Sequence, residues 1–143
     1  MKRFTMNCMI AAAALTALAA SAPAQTRLKA DIPFAFRSGG AVLPAGSYVV
    51  IPAQMGGHNY FTLANTDNKR TVMSSYAYQN NAPKAWVVDG KARLTFECVE
   101  TRCALKSAWT GAGTLQYQFH TPRHERGEMV RTAEIRLNST KAD

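Results

Sequence analysis

Acidic side chains, cysteine and histidine are all scarce in this sequence, and each shortage narrows what the chain can do. Nine Asp and Glu stand against 17 Lys and Arg in 143 residues, with three His and three Cys. Tetrahedral zinc needs more ligands than one Cys pair, and no second pair exists. The His-Glu-x-x-His pattern of a metalloprotease is missing, because His124-Glu125 continues as Arg126-Gly127-Glu128. Gly-x-Ser-x-Gly is missing too. Ser74, Ser75 and Ser107 are therefore tied by no motif to His58, His120 or His124 as a base. Glu97 and Glu100 flank a turn in which Arg102 satisfies them, so they do not read as a paired acid and base. The glycine pairs Gly39-Gly40 and Gly56-Gly57, and Gly111-Ala112-Gly113, read as turns rather than a phosphate loop. His120 and His124 are spaced i, i+4, but Pro122 lies between them, and the segment reads as a solvated polar loop. The expectation is no catalytic residue, no metal, no cofactor and no enzyme.

Long apolar runs are also missing. Beyond residue 24 nothing approaches the ~20 apolar residues that a membrane-spanning helix needs. One shorter run, Met9 to Ala20, is interrupted only by Thr16. Lys2 and Arg3 precede it, and Ala22 and Ala24 sit three and one residues before a cut after residue 24. This is the pattern of a helical, cleaved signal peptide at 1–24, with a buried N-terminal helix as the competing reading. Cys8 lies ahead of the apolar run, so it is not a lipid-bearing cysteine. Residues 25–143 are then a single exported β-domain, in the periplasm or outside the cell, with no membrane span after cleavage.

Export changes two counts. Cys8 is lost, which leaves Cys98 and Cys103 where disulfides form. Loss of Lys2 and Arg3 lowers the formal net charge from +8 to about +6. The remaining basic residues are scattered, among them Arg37, Lys69, Arg70, Lys91, Arg93, Arg102, Arg123 and Arg131, with no run of five. Nucleic acid is therefore not the expected partner. The candidates are an anionic envelope component or another exported protein, unless the charge serves solubility alone.

What is abundant is short alternating segments split by Gly, Pro and Asn, the mark of an all-β domain. Ile32, Phe34 and Phe36 alternate, with Pro33 placing that strand at an edge or at its start. Ser47 to Ile51 reads as a strand ended by Pro52. His58 to Ala64 follows as another. Arg70 to Tyr78 reads as one strand with Val72, Ser74, Tyr76 and Tyr78 on a face. Lys84 to Val88 reads as a short strand before an Asp89-Gly90 turn. Leu115, Tyr117 and Phe119 alternate, as do Ala133, Ile135 and Leu137 in the last strand. Thr121 and Pro122 suggest the cap and first residue of one short helix near 122–129. About eight strands predict a small antiparallel sandwich or barrel.

The clearest hairpin pairs Cys98 with Cys103. The same register sets Phe96 against Leu105 and Leu94 against Ser107 on one face, with Arg93, Thr95 and Glu97 on the other. It meets both the apolar pattern and the reach of a disulfide. Free thiols, a redox pair or metal binding are the alternatives. Tyr60, Tyr76, Tyr78, Trp86 and Trp109 form a possible ligand face for sugars, although aromatics in alternating strands more often fill a core.

Two motifs stand near the start of the expected domain: Asp31-Ile32-Pro33-Phe34-Ala35-Phe36, and Leu43-Pro44-Ala45-Gly46-Ser47-Tyr48 after Gly39-Gly40. Together they resemble the opening of small exported proteins common in Acidobacteria. The resemblance covers about residues 30 to 50. It implies export and a β fold, and no catalytic residue. The expected function is an exported, non-enzymatic β-domain with a structural or interaction role. The alternative is a small-ligand or glycan-binding β-barrel that uses the aromatic face.

Overall fold

A computed structural model describes residues 27–140, so the expected signal peptide lies outside the described residues. Within them the chain forms β1 (Arg27–Ile32), β2 (Phe36–Ser38), β3 (Ala41–Leu43), β4 (Gly46–Met55), β5 (His58–Asn65), β6 (Thr71–Ser75) and β7 (Tyr78–Asn80). A short helix α1 (Lys84–Asp89) follows, then β8 (Arg93–Val99), β9 (Arg102–Trp109), β10 (Gln116–Gln118), β11 (Val130–Arg136) and β12 (Asn138–Thr140). One sheet runs β12-β1-β4-β5-β6 and the other β11-β8-β9-β10-β7. In the second sheet the β2–β3 hairpin joins the first half of β9, with β2 parallel to it. The domain is a two-sheet sandwich rather than a closed barrel. It has more strands than the eight expected, because several are only three residues long.

Alternation explains the layers. Leu28, Ala30 and Ile32 of β1, Tyr48 and Val50 of β4, and Phe61 and Leu63 of β5 turn inward from the first sheet. They meet Phe36, Leu43, Leu94, Phe96, Cys98 and Leu105 from the second. Phe36 joins the layers, packing edge-on against Tyr48 at 5.3 Å and Phe96 at 5.2 Å. Each fully buried aromatic of this size contributes several kcal/mol, about 3–5 on truncation to Ala.

Two hairpins close where the sequence places glycine pairs. Gly39 and Gly40 have φ of 58° and 77°, and Gly56 and Gly57 have 59° and 79°. A two-residue turn with both φ positive matches the right-handed twist of its strands, and glycine adopts it without strain.

Five expectations need correction. Pro33 ends β1, so Phe34 lies between strands, where its ring packs on Phe96 at 5.1 Å. Pro52 does not end β4, which runs on to Met55. Among the described residues β1 pairs with β4 only as far as Val50, so Pro52 lies beyond that ladder, where a residue without an N–H is tolerated. The single strand expected at Arg70–Tyr78 is split: β6 belongs to the first sheet and β7 to the second. Lys84–Val88 is helix rather than strand. Pro83 accepts from the Val87 N–H, and Gly90, at φ 70°, caps the turn by donating to the Trp86 carbonyl. No helix forms at 122–129. Thr121, the expected cap, turns to Glu97, and the Glu125 N–H is taken by the Glu128 carboxylate at 2.9 Å.

The cysteine hairpin follows the expected register for half its length. Cys98 pairs with Cys103 and Phe96 with Leu105. A β-bulge then shifts the strands, so Leu94 faces Ala108 rather than Ser107, and Thr95 faces Ser107. The shift keeps Ala108 in the core and turns Ser107 to the outer face beside Thr95. No helix among the described residues is long and apolar enough to cross a membrane.

Candidate functional site

The outer face of β8 and β9 carries the polar chemistry of the domain. At one end Arg93 and Trp109 oppose each other across the strands; at the other, Glu97 opposes Ala104. Behind this second end the Cys98–Cys103 disulfide is buried in the core and ties the hairpin at its tip. The pairing is the one expected.

Over the Glu97 end the segment 119–129 folds back. His124 Nε2 lies 3.2 Å from the Glu97 carboxylate, and Nδ1 lies 3.9 Å from Glu128. Glu128 is bound in turn by Arg102 at 3.2 Å. Lys106, in the bulge region, approaches Glu97 at 3.8 Å. Burial pushes the Glu97 carboxyl up, but hydrogen bonds from His124 and Thr121 and the Lys106 charge outweigh it. The group is held below the ordinary carboxylate value.

This arrangement leaves a cleft of about 420 Å³ between the returning segment and the β2–β3 hairpin. Phe36, Val42, Val99, Ala104 and Pro122 give it an apolar lining, and Arg37, Arg102 and Arg123 bring three guanidinium groups. Arg37 reaches it because β2 sets Arg37 opposite Ala104, on the outer side of the sheet. Among the described residues neither Arg37 nor Arg123 has an ion-pair partner, whereas Glu97 and Glu128 are both engaged. Both nitrogens of His124 face carboxylates, so its ring acts as a strut that pins the segment to β8. Among the described residues no group of three or more His, Cys, Asp and Glu side chains is placed to hold a metal ion.

The five aromatics singled out in the sequence do not share one face. Tyr60 is half-buried on the outer side of the first sheet, near His58 at 6.5 Å. Tyr76 turns to the inner side: its hydroxyl accepts from Asn59, and its ring meets Tyr117 at 5.0 Å. Tyr78 is 59% exposed on β7. Trp86 and Trp109 do come together, at 6.2 Å, on the outer side of the second sheet. Trp109 is fully buried there, with Nε1 donating to the Thr114 carbonyl, so it offers no free stacking surface.

Sequence reasoning did not find the cleft. Arg37, Arg102 and Arg123 read there as scattered charge, Glu97 as a turn-flanking carboxylate and His124 as part of a solvated loop. The one available signal was the density of charge in His124-Glu125-Arg126-Gly127-Glu128 opposite a hairpin that carries Glu97 and Arg102. No protein family, curated protein or solved structure matches the chain.

Proposed function

We propose that this protein is an exported, non-enzymatic β-sandwich domain that binds an anionic component of the cell envelope through the cleft on β8 and β9. One observation carries this reading: two guanidinium groups that have no ion-pair partner among the described residues, Arg37 and Arg123, stand over an apolar lining whose carboxylates are already engaged. Guanidinium groups recognise oxyanions through charge-assisted, often bidentate hydrogen bonds, and Arg37 and Arg123 are both exposed to an incoming ligand. Export is supported by the signal-peptide pattern at 1–24 and by the Cys98–Cys103 bond, which suits an oxidising compartment. The non-enzymatic part of the reading rests on the sequence, which ties none of Ser74, Ser75 and Ser107 to a histidine by a nucleophile motif. The glycan-binding alternative has less support, because its aromatic residues are dispersed and the sheets do not close into a barrel.

The test is retention of envelope material by the immobilised mature domain, with Arg37→Gln/Arg123→Gln as the comparison. Periplasmic and membrane extracts of the source organism are passed over both, and the retained material is identified by mass spectrometry. The reading predicts anionic material held by the native domain and lost from the double variant. Equal retention by both overturns it.

A further inference from the structure

The cleft has features that narrow its ligand beyond "anionic". Its charge is specific. Among the carboxylates that line it, Glu128 is held by Arg102 and by the Glu125 N–H, and Glu97 by His124 with Lys106 nearby. Two positive charges, those of Arg37 and Arg123, remain without a counter-ion among the described residues. One carboxylate would neutralise only one of them. A phosphate monoester carries about −1.5 to −2 at pH 7 and offers three acceptor oxygens, which matches both. The remainder of the cleft is apolar. Val42, 56% exposed on β3, presents an apolar side chain at the edge of the cleft. The size, about 420 Å³, falls within the 300–1,000 Å³ of small-molecule sites.

We infer that the cleft binds a phosphate monoester carried on an apolar stem, with Arg37 and Arg123 on the phosphate and Val42, Val99 and Ala104 along the stem. This rests on the proposed envelope-binding role and names its ligand class. The two guanidinium groups come from separate elements, β2 and the 119–129 segment. Phosphate binding would therefore bridge the segment to the hairpin opposite, in addition to the Glu97–His124 contact.

The probes are octyl phosphate, octanoate, octanol and inorganic phosphate, each below its micellar concentration. Binding to the mature domain is followed by calorimetry and by methyl chemical shifts of Val42, Val99 and Ala104. Octyl phosphate is expected to bind at least about tenfold more tightly than each of the other three, since each lacks a charge, the head group or the stem. Arg37→Gln/Arg123→Gln should weaken octyl phosphate by at least about tenfold. Val42→Glu should weaken it while leaving the exposed hairpin folded, as checked by circular dichroism. Equal binding of octanoate overturns the phosphate assignment, equal binding of octanol overturns the role of the arginines, and equal binding of inorganic phosphate overturns the stem. If no probe binds but envelope material is still retained in an arginine-dependent way, the ligand class is wrong and the envelope reading stands. Tight octyl phosphate binding without arginine-dependent envelope retention supports the ligand class and overturns the envelope role.

Discussion

Arg93 is the residue whose removal should be felt most sharply outside the apolar core. It is only 5% exposed, on the outer side of the second sheet. Its guanidinium donates to Asp89 and to Glu134, the latter at 2.8 Å, and Nε donates to the Lys91 carbonyl at 3.1 Å. It also lies 4.9 Å from the centre of the Trp86 ring. Arg93 thus fastens α1, which supplies Asp89 and Trp86, to β8 and β11. Breaking a buried ion pair from one side costs about 3–5 kcal/mol. Here Asp89 and Glu134 remain 30% and 39% exposed, so water and the nearby Arg136 recover part of that loss. The lost cation–π contact adds about 0.5–2 kcal/mol. Arg93→Ala should therefore cost about 2–3 kcal/mol in total. Arg93→Lys keeps the charge, loses the planar fork and should cost about 1 kcal/mol. The assay is urea unfolding followed in parallel by tryptophan fluorescence and far-ultraviolet circular dichroism. The chain has two tryptophans, Trp86 on α1 and Trp109 on β9, and both belong to this cluster, so fluorescence reports the docking of α1 on the sheet while dichroism reports the sheets as a whole. In Arg93→Ala the emission should shift to the red before the sheets unfold. A variant within about 0.5 kcal/mol of the native protein, with unchanged emission, would mean that Arg93 behaves as an ordinary surface charge.

Reduction of the Cys98–Cys103 bond, which spans five residues, should cost about 2 kcal/mol from loop entropy alone. Coincident urea curves with and without dithiothreitol would contradict this. Glu97 titrates below its ordinary value in the folded domain, so its contribution to stability is present above the unfolded carboxyl pKa of about 4.3. That contribution is lost as the pH falls through the lower folded value. Glu97→Gln should flatten this part of the acid-side slope in urea midpoints measured from about pH 3 to 6, and parallel slopes would refute the coupling. Two backbone positions should respond in opposite directions. Glu100 sits at φ 54° in the β8–β9 turn, so Glu100→Gly should stabilise by about 0.5–1 kcal/mol. Gly39 has φ 58°, and a Cβ there would lie 2.8 Å from the Met73 carbonyl oxygen, so Gly39→Ala should destabilise by more than about 1 kcal/mol. Thermal melts that move both variants the same way would contradict the assignment.

Local periodicity was enough to read most of the longer strands, the two glycine turns and the cysteine pair, because each is decided within a few neighbouring residues. Tyr48, Val50, Phe61, Leu63, Phe96 and Leu105 all fall on the inward phase of their alternation. Features decided by distant partners were not legible. The bulge near Thr95 serves to keep Ala108 inside and Ser107 outside, where the Ser107 hydroxyl also accepts from Gln116 at 2.9 Å. Strand and helix are close in local preference at Lys84–Asp89, and the docking of Trp86 between Arg93 and Trp109 favours helix. The cleft depends on residues far apart in sequence, Arg37, Glu97 and His124, that meet only when the two sheets and the returning segment are assembled.

The partner proposed above has two candidate surfaces on which to dock. One is the cleft. The other is the outer side of the first sheet, where Val49, Ile51, Ala53 and Tyr60 are half-buried and Met55 and Met73 are exposed. Hydrogen–deuterium exchange of the mature domain, with and without retained envelope material, separates them directly. The proposed function predicts protection at residues 35–37, 97–104 and 121–128, around the cleft. Protection confined to residues 49–55 and 60–73, with the cleft exchanging as before, would contradict it.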